Sequence, residues 1–270
     1  ADMKALLKND IEFVIHSSRQ LNFLNQIKNL KESHPVWLKF DSGMNRLGFP
    51  MEDSSKIFEE VTKKTNQIVL MSHFNSFKGN AKQLKKFKDL EKRCSSENIS
   101  VKKSLCNSGG MINYPASQKD IVRPGISIFG SKSNLKDKNI KLKSVMTLKS
   151  KFISLKELKK GEKVGYEGTW QAKKRTKVGI LPIGYGDGYP INLSNCGKVS
   201  IKGTLVPVIG KVSMDMVAID LSNIRKIGYK DEVILWGKGH EVDTVAKYAD
   251  NSSYSLMTGI TKRVRKVYKL

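Results

Sequence analysis

The sequence predicts an α/β domain built on parallel strands, as a sheet or a barrel, followed by a mostly β domain. The first half alternates short apolar runs with amphipathic helical stretches, at about one unit per 30 residues. From residue 141 onward, strand follows strand between Gly-rich turns. At 270 residues the chain is long enough to bury two cores. We therefore predict an α/β domain over residues 1–135 and a β domain over residues 136–270.

Each unit of the first half pairs a strand with a helix. Short runs rich in β-branched residues predict strands at 11–15, 36–40, 68–71, 103–106 and 121–128. Between these strands, apolar side chains recur at spacings of three and four, which turns one apolar face of each helix towards a sheet. The three stripes begin at Leu21, Ile57 and Leu84.

The second half contains strands in close succession. They are predicted at 142–155, 178–183, 199–201, 206–212, 217–221 and 232–236. A single late helix is predicted at 242–249, after a turn that supplies its cap.

The chain is strongly basic, with 49 Lys and Arg against 25 Asp and Glu and a net charge of +24. Such a balance is typical of nucleic-acid binders. Only eight of the basic residues are Arg and 41 are Lys, spread through every segment. Because phosphate and base recognition draws on the forked guanidinium of Arg, scattered lysines favour solvated faces instead. Nucleic-acid binding is therefore the weakest of the functions we consider, and we expect no nucleic-acid partner.

Several classes of protein are excluded by missing motifs. Cys94, Cys106 and Cys196 are odd in number and widely spaced, which argues against a disulfide framework or a zinc site. The sequence holds no HExxH, G-x-G-x-x-G or P-loop motif. It has no uncharged apolar run of the roughly 18 residues that a membrane helix needs. We expect a protein of the reducing cytoplasm, without a membrane segment or a metal.

Polar residues follow four of the predicted strands, where α/β barrels place their active sites. Lys39 and Arg46 follow the second strand, His73 the third, Ser108 the fourth and Arg123 the fifth. Each alone is more readily explained as a solvated strand residue, a turn or a bend than as a site residue. Together, cationic side chains, an imidazole and a hydroxyl beside backbone amides at one rim suit a phosphate-bearing anionic ligand.

The second half contributes Gly-rich loops with aromatic residues. Tyr166 lies in the run GYEG, Tyr185 in GYGDGY and Met214 in SMD. Their spacing alone leaves open whether these side chains pack in the core or serve a site.

Eight segments, taken in order, resemble one family over essentially the whole chain. They are LKFDSGMNRLGF (38–49), MSHF (71–74), CNSGG (106–110), IVRPGISIFG (121–130), VGYEGTW (164–170), LPIGYGDGYP (181–190), GKVSMDM (210–216) and SSYSLMTGITKRV (252–264). The chain is similar to the fold-type III alanine racemases, which depend on pyridoxal 5′-phosphate (PLP). The resemblance implies a (β/α)8 TIM-type barrel followed by a mostly β domain.

The resemblance implies PLP as cofactor and assigns residues to it. The PLP phosphate would be held by Ser108, the backbone of Gly125 and Ile126, and Tyr254. Arg123 would face the pyridine nitrogen, and His73 would support both the ring and Arg123. Because a guanidinium does not readily release a proton, that nitrogen would stay unprotonated, which favours returning a proton to carbon over elimination.

The resemblance also assigns the substrate contacts and one acid/base group. Arg46 and the Met214 amide would bind the substrate carboxylate, and Tyr185 would narrow the entrance. Lys39 matches a lysine that is carbamylated in many members, where its negative charge orients the arginine that Arg46 matches. Tyr166 would be the general base on one face of the substrate α-carbon.

Racemisation needs a second acid/base on the opposite face of the α-carbon. In the family this is the lysine that bonds covalently to PLP, in a Lys-x-Asn-x-Tyr-Gly-His segment on the first barrel strand. These 270 residues contain no such segment. The resemblance implies that 11–15 is about the fourth of eight barrel strands, so that about five βα units are present. We expect an N-terminally incomplete piece of the enzyme, inactive by itself.

The predicted function is the interconversion of L- and D-alanine, which supplies D-alanine for peptidoglycan. The resemblance implies a homodimer in which Tyr166 and Met214 of one subunit complete the site of the other. Two differences from the family are Ser255 in place of the usual Glu and a final RVRKVY without the usual Pro. The alternatives are a racemase for another small or basic amino acid and, because of the missing lysine, a catalytically inactive homologue.

Overall fold

The computed structural model describes residues 3–27, 30, 34–75, 79–133, 135–137 and 139–268. The chain divides into two compact units, 3–125 with 135–137, and 126–133 with 139–268. The sequence places the boundary at 135/136, whereas the structure assigns 126–133 to the second unit. Within that unit Asp243 accepts hydrogen bonds from the Ser131 hydroxyl and the Lys132 amide, which explains the assignment.

The first unit contains one sheet of four parallel strands in the order β1-β2-β3-β4. The strands are β1 (Phe13–Ile15), β2 (Val36–Lys39), β3 (Ile68–Met71) and β4 (Val101–Ser104). Its helices are α1 (Met3–Lys8), α2 (Ser18–Asn25), α3 (Ser54–Thr62), α4 (Asn80–Ser96) and α5 (Ser108–Asn113). The predicted strand–helix alternation is confirmed up to β4, although β4 begins and ends two residues earlier than predicted.

The apolar stripes of the helices form the core of this unit. Leu24 of α2, Phe58 of α3 and Phe87 of α4 are fully buried. They join Leu38 and Leu70, which come from the two central strands. The spacing of apolar residues by three and four positions predicts this core, because it places one apolar stripe of each helix against the apolar strands of the sheet.

The predicted strand at 121–128 is wrong. Among the described residues, 122–125 have no regular secondary structure and Ile126–Phe129 form a 3-10 helix. The segment begins alongside β4, where the Ile121 amide donates to the Lys103 carbonyl and the Ser104 hydroxyl donates to the Ile121 carbonyl. Pro124 then removes a backbone donor, so a ladder cannot continue.

The second unit is built on a seven-stranded antiparallel sheet in the order β5-β13-β10-β11-β12-β9-β6. Its strands are β5 (Leu148–Lys151), β6 (Ser154–Leu158), β9 (Thr176–Leu181), β10 (Lys198–Ile201), β11 (Thr204–Ile209), β12 (Val217–Asp220) and β13 (Glu232–Trp236). The mostly β prediction is confirmed. The single strand predicted at 142–155 is wrong, because β5 and β6 lie at opposite edges of the sheet and are joined at the buried Phe152.

Short elements complete the second unit. They are the hairpin of β7 (Lys163–Val164) and β8 (Trp170–Gln171), the helices α6 (Val242–Tyr248) and α7 (Ser253–Thr258), and 3-10 helices at Tyr166–Gly168, Tyr185–Asp187 and Ile191–Leu193. The helix α6 is the one predicted at 242–249, and α7 was not predicted. In the core the Tyr189 ring stacks on Trp236 at a centroid distance of 6.1 Å. None of the helices in the described residues is long and apolar enough to cross a bilayer.

Candidate active site

The carboxyl ends of the parallel strands gather the polar residues predicted for the first unit. Lys39 is the last residue of β2, and His73 follows β3 by two residues. Arg123 runs past the end of β4, where its amide donates to the Cys106 carbonyl at 3.2 Å. Because parallel strands point the same way, residues that follow them lie at one rim of the sheet.

Arg123 is held by four acceptors. One guanidinium nitrogen donates to the Ser104 hydroxyl. The other lies 2.7 Å from the Ser72 carbonyl oxygen, 3.3 Å from that of Leu105 and 3.2 Å from Nδ1 of His73. Ser72, Ser104 and Leu105 are buried, so water does not compete for these acceptors. The guanidinium therefore has a fixed orientation.

His73 is a neutral imidazole at physiological pH. Burial, and then the positive charges of Arg123, Lys39 and Arg46, lower its pKa from 6.5 to about 4. A guanidinium only donates hydrogen bonds, so Nδ1 of His73 accepts from Arg123 and the ring proton lies on Nε2. Arg123 thus contacts a neutral partner and keeps its full charge.

Acid should destabilise the chain through His73. Because its pKa is 6.5 in the unfolded chain and about 4 in the folded one, the unfolded chain binds more protons between these values. We expect the free energy of unfolding to fall as the pH drops through this window, by at most about 1.4 kcal/mol per pH unit from this group. Urea unfolding at about pH 7.5 and about pH 5 measures this change. The free energy of unfolding should decrease less between the two pH values in His73→Gln than in the parent chain. Equal losses in the two proteins would contradict the prediction.

Lys39 is a buried lysine, with 8% of its surface exposed. Burial lowers its pKa most, the charges of Arg46 and Arg123 lower it further, and the Asp41 carboxylate opposes them. A lowered pKa raises the fraction of neutral amine, which is the nucleophilic form. The charges of Arg46 and Arg123 thus act on both Lys39 and His73.

The loop that carries Arg46 is organised by Asp41. Its Oδ1 accepts hydrogen bonds from the amides of Gly43 and Met44, both at 2.8 Å. Burial raises the pKa of this carboxyl, but the backbone donors of the loop outweigh burial and the pKa is lowered. The loop then passes through Asn45 with φ of 55° before the exposed Arg46. Asp41 stays ionised and fixes the turn that precedes Arg46.

Gln83 is a site residue that sequence reasoning missed. It is 3% exposed, and its amide nitrogen donates to the Ser42 hydroxyl at 3.1 Å and to the His73 carbonyl at 2.9 Å. Its amide oxygen accepts from the Asn75 amide at 3.0 Å. Gln83 precedes Phe87 by four residues, so it stands on the apolar face of α4. A polar residue on that stripe was the signal that sequence reasoning overlooked.

Two consecutive backbone amides donate to hydroxyl groups. In the first unit, the Gly125 amide donates to Ser108 Oγ at 2.7 Å. In the second unit, the Ile126 amide donates to the Tyr254 hydroxyl at 3.2 Å. Ser108 opens α5, and the preceding Asn107 caps that helix by accepting from the Gly110 amide. Each predicted phosphate-binding amide thus has a predicted hydroxyl beside it.

Tyr166 is held on the tip of the β7–β8 hairpin, with 71% of its surface exposed. Gly165 before it has φ of 71°, and Glu167 after it has φ of 59°. The Glu167 carboxylate forms an ion pair with Lys211 at 2.6 Å. These constraints fix the backbone on both sides of Tyr166 and leave its ring in solvent.

Tyr185 and Met214 lie on two loops that the backbone joins. The Tyr185 amide donates to the Ser213 carbonyl at 3.0 Å, and the Gly186 amide donates to the Met214 carbonyl at 2.9 Å. A Cβ at Gly184 would overlap the carbonyl oxygens of Ser213 and Met214, so this position requires glycine. The Tyr185 ring and the Met214 side chain are exposed, whereas Tyr189 of the same motif is buried in the core.

Arg263 forms ion pairs with one residue of each of these two loops. Its guanidinium forms an ion pair with Asp215, next to Met214, and lies 3.4 Å from Oδ1 of Asp187. Asp187 in turn accepts from the Gly184 amide at 2.9 Å. The sequence motif that contains Arg263 does not predict these ion pairs, because they join segments far apart in the chain.

The chemistry of these side chains fits PLP. A phosphate accepts hydrogen bonds from backbone amides and hydroxyls, and the described residues supply the amides of Gly125 and Ile126 beside two hydroxyls. An unprotonated pyridine nitrogen needs a donor that keeps its proton, which the fixed Arg123 is. The Met214 amide has no protein acceptor within the described part of the chain, so it can receive a carboxylate.

Two family models together match almost the whole chain. The model described as "Alanine racemase, N-terminal domain" matches residues 1–133, and the one described as "Alanine racemase, C-terminal domain" matches residues 145–268.

Curated relatives carry the same name. The alanine racemase of Actinobacillus succinogenes is 39% identical over 99% of this chain and 75% of its own length. That of Pasteurella multocida is 37% identical over the same shares of the two chains.

Solved structures of alanine racemases resemble this chain. The biosynthetic enzyme of Pseudomonas aeruginosa superposes with a TM-score of 0.87 at 31% identity, over 99% of this chain and 75% of that chain. The enzyme of Bartonella henselae, described with covalently bound pyridoxal phosphate, has a TM-score of 0.88 at 26% identity, over 98% of this chain and 75% of that chain. The chain therefore has the fold of these enzymes, a TIM-type barrel with a β C-terminal domain, and it belongs to the alanine racemase family.

Proposed function

We propose that this chain forms part of a cytoplasmic, PLP-dependent racemase that interconverts L- and D-alanine and supplies D-alanine for peptidoglycan. The observation that carries the proposal is the fixed guanidinium of Arg123 beside a neutral His73. A group that keeps its proton suits a cofactor that must return a proton to carbon. Alanine as substrate rests on the family to which the chain belongs.

The family resemblance suggests which residues would hold the cofactor. We assign the phosphate to Ser108, the amides of Gly125 and Ile126, and Tyr254. Arg123 would donate to the pyridine nitrogen, and His73 would support Arg123. When bound, PLP withdraws electrons from the substrate α-carbon and makes its proton acidic.

The chain's own residues then bind the substrate and move its proton. Arg46 and the Met214 amide would bind the carboxylate, because a cation and an unpaired N–H both favour a carboxylate oxygen. Tyr166, on its fixed hairpin, would take the proton on one face of the α-carbon or return it there. Tyr185, on the loop joined to Met214, would narrow the entrance.

We further propose that Lys39 is carbamylated. Its buried amine has a lowered pKa, which favours the neutral form that reacts with carbon dioxide. The amine nitrogen bonds to the carbon of carbon dioxide and releases one proton to solvent, so the product is a carbamate anion among Arg46, Arg123 and neutral His73. A negative charge there would relieve the repulsion between these cations and orient Arg46.

Two further proposals concern the oligomeric state and the activity of these 270 residues by themselves. We propose a homodimer in which Tyr166 and Met214 of one subunit complete the site of the other. We propose from the sequence resemblance that these 270 residues hold only part of the family's eight βα units. They contain no Lys-x-Asn-x-Tyr-Gly-His segment. We therefore propose that these residues alone do not racemise alanine, since the second acid/base group is not among them.

A chimeric enzyme tests both the function and the need for the lysine. An N-terminal segment of the Actinobacillus succinogenes relative, chosen to supply the lysine that these residues lack, would be joined ahead of residue 1. With PLP added, we expect the joined chain to form D-alanine from L-alanine, and the 270 residues alone to form none. Chiral chromatography measures the D-amino acid formed. L-Lysine and L-serine are assayed in the same way, so that their rates of racemisation can be compared with that of alanine.

Two controls make the outcome decisive. A joined chain whose added lysine is replaced by alanine should fold and be inactive. D-Alanine from the 270 residues alone would contradict their proposed inactivity. A folded, PLP-loaded chimera that racemises lysine or serine faster than alanine would contradict the proposed substrate.

A further inference from the structure

We propose that Asp243 is a positioning residue that holds the Ile126 amide and the Tyr254 hydroxyl in place for the phosphate of the cofactor. This inference rests on the proposed function, because it takes the phosphate to be bound there. It concerns residues of the second unit only. Asp243 itself contacts neither the Ile126 amide nor the Tyr254 hydroxyl in the described structure, so it would act through its neighbours.

One carboxylate accepts three short hydrogen bonds. Oδ1 of Asp243 accepts from the hydroxyl groups of Ser131 and Ser253, each at 2.5 Å. Oδ2 accepts from the Lys132 amide at 2.6 Å. Hydrogen bonds to a charged acceptor are shorter and about twice as strong as neutral ones. Ser131 and Ser253 are almost fully buried, so water cannot replace either donor.

These donors lie at the two segments that form the amide–hydroxyl pair. Ser253 begins α7 and directly precedes Tyr254. Ser131 closes the turn that begins at Ile126, since the Ser131 amide donates to the Ile126 carbonyl at 3.3 Å. The Ile126 amide then donates to the Tyr254 hydroxyl at 3.2 Å, which closes a ring of contacts through Asp243. If 126–132 or α7 moves away from Asp243, the Ile126 amide and the Tyr254 hydroxyl move apart.

The position of Asp243 on α6 supports this role. It is the second residue of that helix, in its first turn, where a carboxylate is favoured. A residue needed only to start the helix would require no contact with 131–132 or with α7. The carboxylate instead uses both of its oxygens on those two segments.

A pair of ligands that differ only in the phosphate tests the inference. Pyridoxine 5′-phosphate and pyridoxine lack the aldehyde of PLP, so they do not condense with the 41 lysines of the chain. Equilibrium dialysis of the 270-residue chain measures the dissociation constant of each, and their ratio reports the contribution of the phosphate. In Asp243→Asn we expect this ratio to fall about tenfold, the loss of one charge-assisted hydrogen bond, with pyridoxine affinity unchanged.

Two further variants keep the test decisive. Ser131→Ala leaves the carboxylate in place and removes one donor, so it should lower the ratio even if Asp243→Asn does not fold. The matched control is Asp231→Asn, because the Asp231 carboxylate also accepts a backbone amide in this unit, that of Gly228 at 2.8 Å. This control should keep the ratio of the parent chain.

The outcomes separate the inference from the proposed function. If the parent chain binds the phosphate ester more tightly than pyridoxine, and Asp243→Asn and Ser131→Ala do so equally well, the inference is overturned and the cofactor site stands. The inference is also overturned if the variants bind pyridoxine 5′-phosphate and pyridoxine more weakly by the same factor. Asp243 then supports the fold in general and not the phosphate contacts. If the parent chain does not prefer the ester, the proposed phosphate site itself is wrong, and the inference falls with it.

Discussion

Replacing Arg123 by alanine is expected to lower the free energy of unfolding by about 3 kcal/mol and to abolish racemisation in the joined chain. The substitution leaves the buried carbonyl oxygens of Ser72 and Leu105 without their donor. Each unsatisfied buried acceptor costs about 1–3 kcal/mol. Burial also lowers the pKa of Arg123, which shows that its charge is costly in place, so removing the charge offsets part of the loss. We expect the lost hydrogen bonds to outweigh this relief.

Urea unfolding of the 270-residue chain measures this effect, with Arg175→Ala as the matched control. Arg175 also donates twice, to Glu157, but its side chain is 80% exposed. An exposed ion pair contributes about 0–1 kcal/mol, so the control should stay close to the parent. If Arg123→Ala is no less stable than Arg175→Ala, the hydrogen bonds of the Arg123 guanidinium do not stabilise the fold as expected here.

The rim residues of the first unit were predictable because the strand pattern determines where they lie. Once 36–40 and 68–71 are identified as neighbouring parallel strands, Lys39 and His73 must lie at the same end of the sheet. What the pattern does not contain is the pKa of His73. That value depends on burial and on three charges that come from different segments of the chain.

The errors have local physical causes. The stretch 121–128 has the composition of a strand, yet Pro124 removes a donor and the Ser104 hydroxyl takes the place of a ladder bond. The apolar stripe predicted from Leu84 onward does not include Gln83, because Gln83 is polar, although it precedes Phe87 by one helical turn. The role proposed for Asp243 depends on a contact between positions 112 residues apart in sequence, which no periodicity reports.

Replacing Tyr166 by phenylalanine in the joined chain is expected to lower the rate of racemisation about 10³-fold, within the range for removal of an acid/base group. The ring and its backbone constraints remain, because Gly165 and the Glu167–Lys211 ion pair hold the hairpin without the hydroxyl. Substrate affinity should therefore change little while turnover collapses. Tyr229→Phe is the matched control, since Tyr229 is also a surface tyrosine, 56% exposed, and should keep full activity.

Two measurements show whether Tyr166 acts on one face of the α-carbon and in which subunit. In deuterated water, Tyr166→Phe should still exchange the α-hydrogen of one enantiomer, by way of the added lysine, but not that of the other. Mixing Tyr166→Phe subunits with subunits that lack the added lysine should restore up to about one quarter of the parent activity. Half of randomly paired dimers are mixed, and one of their two sites is then intact. No recovery, despite subunit exchange shown by mass spectrometry, means that Tyr166 serves its own subunit, because only a site shared across the interface can be repaired by a partner.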